Sequence, residues 1–149
     1  MLRLYDKLVI WAGSALPESL TLLFVRVAFA GIFWRSGQTK TVEGHWFQIS
    51  DATFELFRTE YSGVPLPPHL AAVMAASAEH VFPILLVLGL LTRLSALALL
   101  GMALVIQIFV YPDAWWPVHS LWTALALVLI VRGSGRFAID PLLTRTRRA

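Results

Sequence analysis

Four long apolar runs constrain this chain more than any other feature of its sequence. They cover residues 16–34, 69–91, 94–111 and 115–131, and few charged residues interrupt them. A helix needs roughly 20 mostly apolar residues to cross a bilayer. A chain of 149 residues that is 58% hydrophobic also carries more apolar surface than a water-soluble core of this size can bury. We therefore predict an all-α integral membrane four-helix bundle that forms a single domain over the whole chain.

The distribution of lysine and arginine predicts the orientation of the bundle. Eight of these residues fall on one side of the predicted spans and three on the other. Because cytoplasmic loops are enriched in lysine and arginine, we expect both termini in the cytoplasm. Residues 1–15 are typical of a short interfacial helix, and the basic tail with Arg145, Arg147 and Arg148 suits anionic lipid. The net charge of +3 follows this topology, so the lipid bilayer is an expected partner and nucleic acid is not.

The long connection between the first two spans, residues 41–67, would then be extracytoplasmic. From Trp46 to Phe57 aromatic residues alternate with charged ones at near-helical spacing, which predicts an amphipathic helix. Such a helix is either the cover of a site or an interfacial anchor. The proline-rich stretch 63–68 ends it and returns the chain to the bilayer.

Two charged residues lie in the middle of apolar runs, Arg26 in the first span and Glu79 in the second. An unpaired charge at that depth costs at least roughly 2.5–3.5 kcal/mol. The first two spans are neighbours, so we predict that Arg26 and Glu79 contact each other. The pair is either a structural clasp or part of a site. Pro83 lies four residues after Glu79 and leaves the Glu79 carbonyl without its helical partner, which adds a polar group at the same depth.

Two further groups of polar and aromatic residues are candidates for a site. Arg26, Phe33 and Lys40 recur on one helical face together with Ala30 and Gly37, provided that the first helix continues past Trp34. Lys40 either enters a site or extends to the membrane surface. The last two spans contribute Gln107, Trp116 and His119, of which His119 either binds a ligand or is an ordinary interfacial residue.

The absence of cysteine excludes thiol redox chemistry, iron–sulfur ligation by thiolates and c-type haem attachment on this chain. We expect no haem and no flavin either. His45, His69 and His119 fall on the predicted outer side, but their spacing matches no metal-binding motif, so no metal site is predicted. A small transporter or a metal-handling protein is therefore the least favoured function.

The same residues identify a family that the chain resembles, the DoxX family of small four-helix membrane proteins. The resemblance covers nearly the whole chain and is carried by Arg26, Phe33, Gly37, Lys40, Glu79, the turn Gly89–Arg93, Trp116, His119 and the ending Gly133–Asp140. It implies a multi-pass protein of the bacterial inner (plasma) membrane with a quinone-linked redox role, since the family is similar in part to the membrane subunits of thiosulfate:quinone oxidoreductase.

Two functions of different classes follow. The first is a subunit of a quinone-dependent oxidoreductase, inactive alone, that binds a quinone-like ligand in the outer half of the bundle. Its catalytic residues would be Glu79 and Arg26, and its ligand-binding residues Lys40, His119, Phe33, Gln107 and Trp116. The second is a non-catalytic scaffold that anchors a redox or stress-response partner. Besides the bilayer, the candidate partners are an oxidoreductase partner subunit and further copies of the chain in a homo-oligomer.

Overall fold

The computed structural model describes residues 2–145, and four of its helical segments are long and apolar enough to cross a membrane. They are α2 (Ala15–Lys40), α4 (Pro68–Leu88), α5 (Thr92–Phe109) and the segment Pro112–Arg132, in which a 3-10 turn (Pro112–Ala114) and a π-helical turn (Trp115–His119) precede α6 (Ser120–Arg132). The structure thus has four long apolar helices where the four spans are predicted, within a few residues at most ends. The exception is the first, which continues six residues past Trp34 to Lys40.

The four helices form a closed bundle. Helix α4 packs against α2 and α5, and α6 packs against α5 and α2. Helices α4 and α5 are antiparallel because only Gly89–Leu91 separates them, and Gly89 has a φ of 65°, a left-handed conformation that ends α4. The core holds Phe29, Phe33, Leu86 and Leu99, with Ala96, Ala103 and Ala126 where helices approach closely.

The predicted helical face on α2 is confirmed. Its five members are all buried: Arg26, Ala30, Phe33, Gly37 and Lys40. Their spacings of four, three, four and three residues keep them on one side of a continuous helix. The face extends about two helical turns beyond Phe33 and so reaches the end of α2 at Lys40.

The connection after α2 differs from its prediction. Strands β1 (Thr41–Val42) and β2 (His45–Ile49) form an antiparallel hairpin, and α3 begins only afterwards (Asp51–Thr59). The prediction of a helix from Trp46 is therefore wrong for the first part of that stretch, and the fold is mostly rather than wholly helical. Gly44 has a φ of 77° and lies in a two-residue turn, which makes the hairpin possible. Helix α3 itself is confirmed and packs on α4 through Phe57.

The remaining two helices lie at the opposite end of the bundle. Helix α1 (Leu2–Ala12) matches the helix predicted for residues 1–15 and exposes most of its side chains. Helix α7 (Asp140–Arg145) follows an irregular segment that crosses the ends of α2 and α4. Arg147 and Arg148 of the predicted basic tail lie outside the described residues. We refer to this end as the Arg26 end and to the other as the α3 end.

Candidate functional site

The buried polar centre of the bundle is an ion pair between Lys40 and Glu79. The Lys40 Nζ atom lies 2.8 Å from Glu79 Oε2 and donates a hydrogen bond of 3.0 Å to Oε1. Ser36 joins the pair: its hydroxyl donates to Glu79 Oε1 and accepts from Lys40 Nζ, both at 3.0 Å. The two charged side chains are only 8% and 1% exposed. A complete ion pair is thus removed from solvent at the α3 end.

Arg26 is not the partner of Glu79, so the predicted contact between them is wrong. Gly37 marks the level of Glu79 on α2, because a Cβ atom on Gly37 would lie 3.1 Å from Glu79 Cβ. Arg26 precedes Gly37 by eleven residues, which is about 16 Å of helix. The relative shift of α2 and α4 therefore places Arg26 at the end of α4 rather than at its middle.

At that end Arg26 is fully buried and binds backbone oxygens. Its guanidinium donates to the carbonyls of Leu86 and Val87, each at 3.1 Å, and to the carbonyl of Phe137. The last carbonyls of a helix have no partner within it, and a guanidinium with five donors can satisfy several of them. Arg26 thus holds the C-terminal segment against the end of α4, away from the ion pair.

Asp140 completes this closure of the Arg26 end. Its carboxylate accepts hydrogen bonds from the backbone N–H groups of Leu91, at 2.7 Å, and Thr92, at 3.0 Å. These groups belong to the start of α5, where helical N–H groups lack partners. The hydrogen bonds of Arg26 to three backbone carbonyls thus account for its buried charge without a ligand.

Small and hydrogen-bonded residues fix the ion pair in place. Gly37 lets α4 approach α2, since a Cβ atom there would lie 2.9 Å from His80 Cε1. Thr53 of α3 donates its hydroxyl to the Lys40 carbonyl at 2.9 Å, and the N–H of Ser50 donates to the same carbonyl at 3.1 Å. Helix α3 is therefore attached directly to the residue that carries the ammonium group.

Two cavities, each of about 290 Å³, lie beside the ion pair. The first cavity lies between α3, α4 and α5, and its polar members are Lys40, Tyr61 and Glu79 among twelve apolar residues. The second cavity lies among α2, α5 and the start of the last span, and includes Ser36 and His119. Glu79, Tyr61 and Ile106 line both, so the two cavities adjoin at these residues.

His119 presents a defined tautomer to the second cavity. Its Nδ1 atom lies 2.7 Å from Gln107 Oε1, while Gln107 Nε2 donates to the carbonyl of Pro112 at 2.6 Å. The second bond fixes the orientation of the amide, so Oε1 must accept from His119. Nδ1 then carries the proton, and Nε2 keeps a lone pair until the ring is protonated. His119 is 3% exposed and packs against Trp122.

Tyr61 lines both cavities and contacts Tyr111, which is partly exposed. Its ring stacks on Phe57 at 4.5 Å and meets the ring of Tyr111 edge-on at 6.2 Å. Burial, followed by Tyr111 and the charge of Glu79, raises the pKa of Tyr61 from 10.0 to about 12. The hydroxyl therefore keeps its proton at neutral pH and can donate it to an acceptor.

Comparison with known proteins identifies the chain. The sequence profile of the DoxX family matches residues 21–112, which is more than half of the chain. The chain belongs to the DoxX family. It is also similar to a protein of Haemophilus influenzae, with 28% identity over 140 residues and 89% of each chain covered, which is described only as an uncharacterized protein. No solved structure matches this DoxX protein.

The matched stretch contains both charges of the ion pair. It runs from α2 to the start of the last span and so includes Lys40, Glu79, Tyr61 and Gln107. His119 lies beyond it. The four spans and the family make this DoxX protein a multi-pass membrane protein.

The predicted site residues fall into two groups in the structure. Four of them line one or both cavities: Glu79, Lys40, His119 and Phe33. Gln107 is hydrogen-bonded to His119. Trp116 is 83% exposed and, like Arg26, is not among the residues that line either cavity. Within residues 2–145 the structure contains no group of three side chains suited to a metal ion.

Sequence reasoning missed three residues of the site: Ser36, Tyr61 and Tyr111. Ser36 lies four residues before Lys40 and is therefore on the same face of α2, a signal that the spacing contained. Tyr61 and Tyr111 had no comparable signal, because they meet only when the loop after α3 packs against the end of α5.

Proposed function

We propose that this DoxX protein binds a small amphipathic molecule with a carbonyl head group, such as a quinone, beside the Lys40–Glu79 pair. The observation that supports this proposal is a complete ion pair at the polar end of an otherwise apolar cavity. Replacing a buried ion pair by apolar residues is often neutral or stabilising, so packing alone gives little reason to keep one. Ionisable groups within a membrane commonly mark a binding site.

The first cavity fits such a ligand in size and chemistry. Its volume of about 290 Å³ is near the lower limit of small-molecule sites. The Lys40 ammonium and the Tyr61 hydroxyl are donors for a carbonyl oxygen, while Phe82 and Met102 offer apolar contacts for a ring or tail. A bound quinone would accept electrons and protons. For that chemistry Glu79 is the residue placed to hold a proton.

The rim of the first cavity suggests access from the lipid. Leu66, Met74 and Val105 line the cavity and are also 42%, 53% and 38% exposed, which places them on the outer surface of the bundle. A molecule dissolved in the bilayer would therefore enter between α4 and α5. Its apolar tail would remain among lipid chains while the head group reaches the ion pair.

The proposal also includes the membrane in which the protein lies, its orientation there and its partner. We place it in the bacterial inner membrane with both termini in the cytoplasm, because lysine and arginine are more numerous on that side. The α3 end then faces outward. Since the chain has no cysteine, electrons would come from the substrate or from a partner subunit. A second copy of the chain is an alternative partner.

Titration with a short-chain ubiquinone analogue tests the proposal. The purified protein in lipid nanodiscs should show saturable quenching of tryptophan fluorescence. Ala98→Phe fills the first cavity from α5 and should abolish the saturable part. Leu97→Phe is the matched control, because Leu97 is 56% exposed on the outer surface of the bundle and the variant adds the same ring outside the cavity. Glu79→Gln should weaken binding at least about tenfold, equivalent to about 1.4 kcal/mol.

Quenching that does not saturate, or that is the same in Ala98→Phe and Leu97→Phe, would contradict quinone binding in this cavity. The ion pair would then join α2 and α4 without a ligand, and the scaffold function would replace the proposed one. Circular dichroism of each variant separates loss of binding from loss of folding.

A further inference from the structure

We infer that Glu60, Tyr111 and Tyr61 form a proton inlet that connects water at the α3 end with Glu79 through the second cavity. The inference deepens the proposed function and rests on it for its purpose, since a quinone site must be supplied with protons. Its outer step is the hydrogen bond between Tyr111 and Glu60, and its inner step is the cavity that Tyr111, Tyr61 and Glu79 line together.

The entrance of the inlet lies on the surface. Glu60 is exposed, and the Tyr111 hydroxyl donates a hydrogen bond of 2.6 Å to Glu60 Oε2. Tyr111 is itself 43% exposed, yet it also lines the second cavity. A proton taken up by the Glu60 carboxylate is therefore one hydrogen bond away from a side chain that reaches the interior.

The inner part of the inlet is the polar wall of the second cavity. Tyr61 lies against Tyr111 with ring centres 6.2 Å apart, and both share the cavity with Glu79. Ser36 and His119 add two more polar groups to its lining. Five polar side chains thus face a cavity of about 290 Å³, which has room for several water molecules, each of which takes about 30 Å³ in the liquid. Water can thus bridge the Tyr61 hydroxyl and the Glu79 carboxylate.

Proton transfer along this path is balanced and moves no electrons. Each hydroxyl or water accepts one proton and releases another, so that Glu60 loses a proton and the Glu79 carboxylate gains one. Phenylalanine at position 61 or 111 would keep the ring contacts but remove the O–H group that this relay needs.

The other ionisable and polar groups near Glu79 lead to no comparable path. Lys40 is buried, and its ammonium group donates to the Glu79 carboxylate and to Ser36. His80 holds the Ala76 carbonyl through Nδ1 at 2.7 Å, and His119 holds Gln107. Of the described groups around Glu79, the two tyrosines are those that the structure links to an exposed carboxylate.

Infrared spectroscopy after a rapid downward pH jump tests the inlet without any quinone. In lipid nanodiscs, the C=O band of protonated Glu79 is assigned by its loss in Glu79→Gln. Tyr61→Phe and Tyr111→Phe should slow the appearance of this band by roughly 10²-fold, the lower end of the effect of a positioned proton-transfer group. Tyr5→Phe is the matched control, because Tyr5 lies 66% exposed on α1.

Equal rates in the two inner variants and in Tyr5→Phe would overturn the inference. A Glu79 band that never changes with pH would also overturn it, since an inlet requires a proton acceptor. The same holds if His119→Ala is the only variant in which the band appears more slowly. Circular dichroism shows whether each variant is folded. Because no quinone is present, failure of the binding experiment above and failure of this one are distinguishable.

Discussion

Replacing one member of the Lys40–Glu79 pair should destabilise the protein more than replacing both. At the observed 2.8 Å, opposite charges attract by about 6 kcal/mol when the effective dielectric constant is about 20. The cost of removing the charges from water offsets much of this attraction. A single replacement leaves the other charge buried and uncompensated, which costs about 3–5 kcal/mol.

Three variants measure this coupling: Lys40→Met, Glu79→Gln and the double variant. Glutamine keeps an acceptor for the Ser36 hydroxyl, so the change isolates the charge of Glu79. In the double variant neither charge of the pair remains, and the variant should lose no more free energy of unfolding than either single variant. The coupling energy is then about 3 kcal/mol or more, at the upper end for neighbouring residues.

Reversible unfolding in mixed detergent micelles, followed by circular dichroism, provides the free energies. The matched control is the cycle of Arg26→Leu with Glu79→Gln, whose effects should add within about 0.5 kcal/mol because about 16 Å of helix separates Arg26 from the level of Glu79. Additive losses for Lys40 and Glu79 would refute the ion pair. Strong coupling between Arg26 and Glu79 would restore the pairing predicted from the sequence.

Two further predictions concern packing and pH. Gly37→Ala should destabilise the protein by about 1–3 kcal/mol in the same unfolding assay, because the added methyl group meets His80, whereas Gly31→Ala, with no atom within 4 Å of the added group, should not. Since the folded pKa of Tyr61 is raised from 10.0 to about 12, its contribution to stability is complete below pH 10 and is lost as the pH rises through 12. The loss of stability at high pH should be smaller in Tyr61→Phe. If the stability of this variant falls with rising pH as much as that of the original protein, the prediction is wrong.

The spans and the buried face of α2 were predictable because hydropathy and helical periodicity are local properties. Each span is defined by its own residues, and the spacing from Arg26 to Lys40 defines a face wherever the helix continues. The hairpin before α3 was missed for a local reason as well. The aromatic residues from Trp46 suggested a helix, while the turn at Gly44 favours two strands.

The partner of Glu79 depended on the shift between two helices, which no single helix contains. Both Arg26 and Glu79 lie near the middle of an apolar run, but α2 and α4 pack with Gly37, not Arg26, at the level of Glu79. The hairpin and α3 contribute to this shift, because they join the end of α2 to the start of α4 and bind the Lys40 carbonyl.

That the buried charges require partners follows from the sequence alone, whereas the packing of the helices selects those partners. For Arg26 the partners are backbone carbonyls at the end of α4 and at Phe137, and a sequence does not distinguish one carbonyl from another. For Glu79 the partner is a lysine at the end of the preceding span. Side-chain charge can be read along the chain, whereas the distance between two charges exists only after the helices have packed.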